Sequence, residues 1–252
     1  MEHLRFEKNI QVGLLTFDRP KALNALNLEL LEELKRFLEE ESEKGELTAL
    51  IVTGSGDKAF IAGADIKAMQ TLDAEGIRSF IALGQQVTLL LENAPFITIA
   101  AVNGFALGGG LEMALACDFI YAAETAKMGL PEVTLGIIPG FGGTQRLSRA
   151  VGARRAKEMI ATGKPIDANE ALKIGLVNQV FDQESLLEAC RSTAKRIAGY
   201  SQTAISQGKH AVNRGGDLPI KEGLELEKNN FAHCFATPER EEAMQAFLDK
   251  GS

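Results

Sequence analysis

The chain has 252 residues, 45% of them hydrophobic, which is enough to bury a sizeable core in one or two domains. A formal net charge of −7 and a pI near 5.2 argue against a general nucleic-acid binder, which depends on a basic face. The three cysteines, Cys117, Cys190 and Cys234, are widely spaced and form no CxxC pair, so a reducing compartment is expected rather than a disulfide framework. Met1-Glu2-His3-Leu4-Arg5 lacks the long apolar core of a signal peptide, and Phe96 to Val102, the most apolar stretch, is too short to cross a bilayer. A soluble, cytoplasmic protein is the expectation.

In chain order, Ile10 to Phe17 and Ala49 to Thr53 read as strands, being short and rich in β-branched or bulky residues. Between them Leu28, Leu31, Leu34 and Leu38 recur at helical spacing, with Asn27 as candidate N-cap and Gly45 as candidate stop. The many glutamates of this helix fit a solvated outer face, with an acidic docking site as the alternative. Ile97 to Val102 and Asp118 to Ala122 are further strands, set apart by helical or glycine-rich segments. Strand and helix alternate to about residue 150, which predicts an α/β layered core. Beyond it the pattern turns helical, over Ala153 to Ala161, Ala168 to Ile174, Glu184 to Ala198, Thr203 to Asn213 and Ile220 to Leu248.

Two glutamates carry the chemical signal. Glu112 follows the run Asn103-Gly104-Phe105-Ala106-Leu107-Gly108-Gly109-Gly110-Leu111, and Glu132 sits in Leu130-Pro131-Glu132. A carboxylate beside apolar side chains and bare glycine backbone is poorly solvated, so its pKa rises towards neutrality. Two of them in one cleft can hold a single water, one accepting a proton while the other donates. That pairing suggests adding water to, or removing it from, an activated double bond.

Lys58 to Lys67 follows a strand and opens a helix, where free backbone N–H groups cluster. Taken alone, an ordinary strand-to-helix turn is the favoured reading of it. Gly108-Gly109-Gly110 is harder to explain structurally, because consecutive glycines weaken both helix and strand. N–H donors from these two turns could together form an oxyanion hole. Gly140 to Gly143 reads either as a second ligand loop or as capping and tight packing. Arg146, Arg149, Arg154 and Arg155 fit a subunit contact or solvated face, or contact with an acidic ligand. No G-x-x-x-x-G-K-[ST], G-x-G-x-x-G or G-x-S-x-G pattern is present, and the scattered His3, His210 and His233 supply no metal-ligand spacing.

Four segments then occur in order: Arg19 to Leu26, Ala62 to Lys67, Ala101 to Gly110 and Pro139 to Arg146. With them the chain closely resembles the enoyl-CoA hydratase (crotonase) family, nearly end to end. The resemblance implies an α/β fold of stacked ββα turns, a spiral core over residues 1–195 holding the active site. A helical region over 196–252 would mediate trimerisation, giving a homotrimer or a hexameric dimer of trimers. It also implies an oxyanion hole from the backbone N–H groups of Ala64 and Gly109. Glu112 would activate water for attack on the β-carbon, and Glu132 would deliver a proton to the α-carbon. Lys21, Ala22, Ala62, Asp65, Ile66 and Lys67, with Phe231 and Lys250, would join Ala64 and Gly109 in binding substrate along the coenzyme A path. Coenzyme A would be part of the substrate, with no separate cofactor and no metal.

The expected reaction is reversible syn-addition of water to a trans-2-enoyl-CoA, giving a 3-hydroxyacyl-CoA. Isomerases of the fold lack the first glutamate, so having both favours a hydratase. The alternatives are an isomerase, a hydratase of branched or aromatic acyl groups, and an RNA-binding member of the fold. The acidic composition speaks against the last.

Overall fold

The structure, a computed structural model, describes residues 1–250, the side chain of Lys250 excepted. Its first half runs β1 (Leu4–Asn9), β2 (Val12–Phe17), α1 (Leu28–Lys44), β3 (Ala49–Gly54), β4 (Ala59–Ile61), α2 (Ile66–Gln70), α3 (Ala74–Asn93), β5 (Ile97–Val102), β6 (Phe105–Leu107) and α4 (Gly109–Ala116). There follow β7 (Phe119–Ala123), β8 (Lys127–Gly129), α5 (Gly143–Val151), α6 (Ala153–Thr162), β9 (Ile166–Asp167), α7 (Ala168–Lys173), β10 (Gln179–Phe181), α8 (Leu186–Ala198), α9 (Gln202–Gly215), α10 (Ile220–Phe235) and α11 (Pro238–Lys250). Short 3-10 turns occupy Pro20–Ala22 and Glu132–Leu135.

One sheet has the order β1-β2-β3-β5-β7-β10 and the other β4-β6-β8-β9. Apart from the antiparallel pairs β1–β2 and β8–β9, neighbouring strands are parallel. Each repeat therefore places one strand in the first sheet and the next in the second, then crosses over through helix: β3-β4 with α2 and α3, then β5-β6 with α4. This is the expected spiral of ββα turns.

Local chemistry accounts for the elements. The Asn27 side chain accepts from Leu30 N–H, capping α1, and Gly45 ends it in the left-handed conformation. The buried face of α1 carries Leu30, Leu31, Leu34, Phe37 and Leu38, each contributing about 1.5–3 kcal/mol of burial. Asn103, where the chain turns from β5 to β6, donates to Gly54 O at 3.0 Å and Gly56 O at 2.8 Å and accepts from Gly54 N–H. One side chain thus ties two successive turns of the spiral together.

Two sequence expectations need correction. Ile10 does not begin a strand; it stands at the hairpin turn with φ +56° and is 84% exposed, and the strand starts at Val12. Its partner β1 was not expected, because the polar edge strand Leu4–Asn9 has one buried residue and no clear alternation. Nor is Ile220 to Leu248 one helix. Thr237-Pro238 breaks it, since proline disfavours helical geometry in the preceding residue and then opens α11.

The helical end is fastened by a buried ion pair. Lys209 on α9 donates to Asp118 Oδ2 at 2.8 Å and to the carbonyls of Phe96 and Leu91. Asp118 also accepts from the backbone and hydroxyl of Thr98. Removing one partner leaves the other charge buried without its counter-ion. Asp118→Ala is therefore expected to lower stability by about 3–5 kcal/mol in urea unfolding, against under about 1 kcal/mol if the pair were dispensable.

Candidate active site

Four stretches of chain, 62–69, 80–81, 107–112 and 131–141, converge on one cavity of about 160 Å³, whose lining includes Ala64, Gly109, Glu112, Glu132, Phe80 and Phe141. The first stretch is the turn before α2. Leu26 forms a parallel bridge with Ala64, donating to Gly63 O at 2.9 Å and accepting from Asp65 N–H at 2.7 Å. Alternate amides of extended backbone face opposite ways, so the Ala64 N–H is turned away from Leu26. Asp65 caps α2 by accepting from Ala68 N–H and pairs with Arg19 at 3.4 Å.

The second stretch is Gly108-Gly109-Gly110. Gly108 has φ +52° and ψ −126°, which a side chain would oppose, and a Cβ there would lie 3.0 Å from Glu132 Oε1. A Cβ on Gly110 would come within 1.9 Å of Ile61 O, so stacking the two spiral turns requires glycine. Gly109 is the first residue of α4, and its N–H is one of the helix's orphan donors. Among the described residues, neither Ala64 nor Gly109 spends its N–H on a protein acceptor.

Glu112 lies in the first turn of α4 and is 2% exposed. Its Oε1 accepts from Phe141 N–H at 2.8 Å and Gly143 N–H at 2.6 Å. Burial pushes its carboxyl up, while the Gly143, Phe141 and Gly140 amides and the charge of Arg146 pull it back. Glu132 opens the 3-10 turn after Pro131. Its Oε2 is buried with no hydrogen-bond partner. Burial, opposed by its own amide and reinforced by Glu112, pushes its carboxyl up to about 7. Burial raises both carboxyls; amide donors offset the rise at Glu112, whereas the buried Oε2 of Glu132 has none.

The other expected residues fall into three groups. Ala62 and Ile66 line the cavity with Ala64 and Gly109. Lys21 and Ala22 form the turn Pro20–Ala22, drawn alongside by Ala62 N–H donating to Leu23 O at 3.0 Å; Lys67 is exposed on α2. The single chain does not bring Phe231 to the cavity. It is 67% exposed on α10, stacked with Phe235, and lines a separate apolar groove with Phe247 and Leu248. The side chain of Lys250 lies outside the described residues. No group of three or more His, Cys, Asp or Glu able to hold a metal ion occurs among the described residues.

Sequence reasoning missed what Gly140 to Gly143 binds: the amides of this loop take an internal carboxylate, Glu112. It also missed Phe141 as an apolar residue lining the cavity.

The sequence profile described as enoyl-CoA hydratase/isomerase matches residues 7–252. A crotonyl-CoA hydratase of Syntrophomonas wolfei is 48% identical over 249 residues, covering 99% of this chain and 96% of the relative. A short-chain-enoyl-CoA hydratase of Clostridium acetobutylicum is 44% identical over 250 residues, with coverage of 99% and 96%. The crystal structure of an enoyl-CoA hydratase from Bacillus anthracis superposes with a TM-score of 0.96 at 40% identity, covering 98% of this chain and 96% of that one. The chain belongs to the enoyl-CoA hydratase/isomerase family.

The raised Glu132 carboxyl has a consequence for stability. It holds its proton in the fold at pH values where the unfolded chain has released it. Its contribution is therefore fully present below the ordinary glutamate pKa and is lost as pH rises through about 7. Glu132→Gln, always neutral, should stabilise the protein more at pH 8 than at pH 5 in paired urea titrations. An effect equal at both pH values would show that Glu132 titrates normally.

Proposed function

We propose that the cavity hydrates short-chain trans-2-enoyl-CoA thioesters to 3-hydroxyacyl-CoA, with Glu112 as base and Glu132 as acid. One observation carries the reading: the buried Glu112, held by two amides, and the half-buried Glu132, with an unpartnered carboxyl oxygen, line a single cavity beside two unspent backbone N–H groups. Water adds its oxygen to the β-carbon and gives a proton to Glu112. The electron pair of the double bond moves onto the thioester carbonyl, whose oxygen is held by the N–H groups of Ala64 and Gly109. Glu132 gives its proton to the α-carbon. Proton exchange between the two carboxyls then restores the starting state, and no separate cofactor takes part.

The modest cavity, with Phe80, Ile81 and Phe141 in its lining, supports a short acyl group, as do the names of the two curated relatives. Lys21, Ala22, Ala62, Asp65, Ile66 and Lys67 would flank the coenzyme A path, with Phe231 and Lys250 at its nucleotide end. The apolar residues exposed on α10 and α11, among them Ile220, Phe231, Phe247 and Leu248, support residues 196–252 as the oligomerising region of a trimer or hexamer around a core over 1–195. A cytoplasmic setting, with no nucleic-acid or membrane partner, completes the reading. No helix among the described residues is long and apolar enough to cross a membrane.

Loss of enone absorbance from crotonyl-CoA should be fast with the wild type. Glu112→Gln and Glu132→Gln should each slow it by about 10²–10⁴-fold while still binding the thioester. Rates should fall along the series crotonyl-, octenoyl- and dodecenoyl-CoA, and Phe80→Ala should flatten that fall. No turnover of any enoyl-CoA by the wild type would overturn the reading.

A further inference from the structure

Glu112 is held by a loop, and that loop is itself held. The peptide unit joining Gly140 to Phe141 donates through its N–H to Glu112 and accepts through Gly140 O from Gln85 Nε2 at 2.9 Å. The next carbonyl, Phe141 O, accepts from Arg146 Nη1 at 3.1 Å and lies 3.0 Å from the buried Thr88 hydroxyl. Arg146 is in turn fixed by Glu92, whose Oε2 accepts from Nη2 at 2.5 Å and from Nε at 3.2 Å. Gln85, Thr88 and Glu92 recur at i, i+3 and i+7, so they share one face of α3. A Cβ on Gly143 would lie 2.9 Å from Glu112 Oε1, which shows how closely the loop wraps the carboxylate.

We propose that Arg146, braced by Glu92 and aided by Gln85 and Thr88, is the positioning residue for Glu112, acting through the amides of Phe141 and Gly143. None of these four side chains touches the reacting atoms. They aim the loop's N–H groups at Glu112, and so set both its direction and its protonation state. The significance rests on the hydratase reading above, in which Glu112 is the base.

The charges around Glu112 are few. Glu132 faces it from the 3-10 turn, and Arg146 from α5 with Glu92 of α3 behind it; β4, β6 and β7 bring no charged side chain. Removing Arg146 takes away a positive charge and loosens two amide donors. Both changes raise the pKa of Glu112.

The test compares Arg146→Gln, Arg146→Lys, Glu92→Gln and Gln85→Leu with the wild type, each first checked for folding by circular dichroism. With crotonyl-CoA, Arg146→Gln should lower kcat by about 10–100-fold with KM within about twofold, and move the acid limb of the kcat profile to higher pH. Arg146→Lys, which keeps the charge and a donor, should recover most of the rate. Glu92→Gln should add little on top of Arg146→Gln. Gln85 is exposed, so Gln85→Leu should fold normally and shift kcat in the same direction. Wild-type kcat and pH profile in Arg146→Gln and Gln85→Leu would overturn the proposal. So would losses that merely track the folded fraction.

The Glu112 carboxyl is also followed by NMR with ¹³Cδ-glutamate labelling, its signal assigned by Glu112→Gln. An upward shift of its titration in Arg146→Gln supports positioning whether or not the enzyme turns over. An unmoved titration overturns it. Wild-type inactivity on every enoyl-CoA would instead sink the hydratase reading, and the titration alone would then decide the positioning role.

Discussion

A carboxylate enclosed as completely as Glu112 persists in an apolar interior only if its charge is met by fixed donors. Here the donors are the backbone amides of Phe141 and Gly143, 2.8 and 2.6 Å away. Three elements around the cavity serve that contact. The glycines of the loop let it close on the carboxylate, α3 holds its carbonyls, and α4 presents Glu112 from its first turn. Glu132 receives no comparable donor for its buried Oε2, and the difference between two chemically identical side chains becomes a difference in proton affinity.

Helix α3 has two duties that one rigid element can combine. Phe80 and Ile81 line the cavity, with the rings of Phe80 and Phe141 5.4 Å apart. About one to three turns further on, Gln85, Thr88 and Glu92 brace the loop that carries Phe141. Phe141 thus both lines the cavity and gives its amide to Glu112. The shape of the cavity and the hold on Glu112 are thereby mechanically joined over a short distance. The spiral supplies the necessary stiffness, because successive turns share strands in both sheets and corner bonds such as those of Asn103.

Legibility in the sequence followed the physics of each element. Helix α1 could be read because its stripe of leucines, its Asn27 cap and its Gly45 stop all report locally. Strand β5 could be read because six small or β-branched residues, buried on both faces, form one apolar run. The triple glycine and the two glutamates announced a site, since bare backbone beside carboxylates has few structural uses. Strand β1 stayed hidden as a charged edge strand, and the break at Thr237-Pro238 was passed over although proline marks it. The clamp from Gln85, Thr88 and Glu92 was invisible for a different reason. Its meaning lies in contacts with residues about 54 positions away, and polar side chains on a helix face look alike until the partner loop is in place. Residues such as Phe231 depend on what the helical end packs against, which a local pattern does not encode.

The central claim is that one water and one proton are delivered from two glutamates in the same cavity. Its most direct test is to run the hydration of crotonyl-CoA in D₂O and read the configuration at the α- and β-carbons by ¹H NMR. The account predicts a single diastereomer in which deuterium and hydroxyl have added to the same face. An anti product, or a mixture of the two, would contradict it.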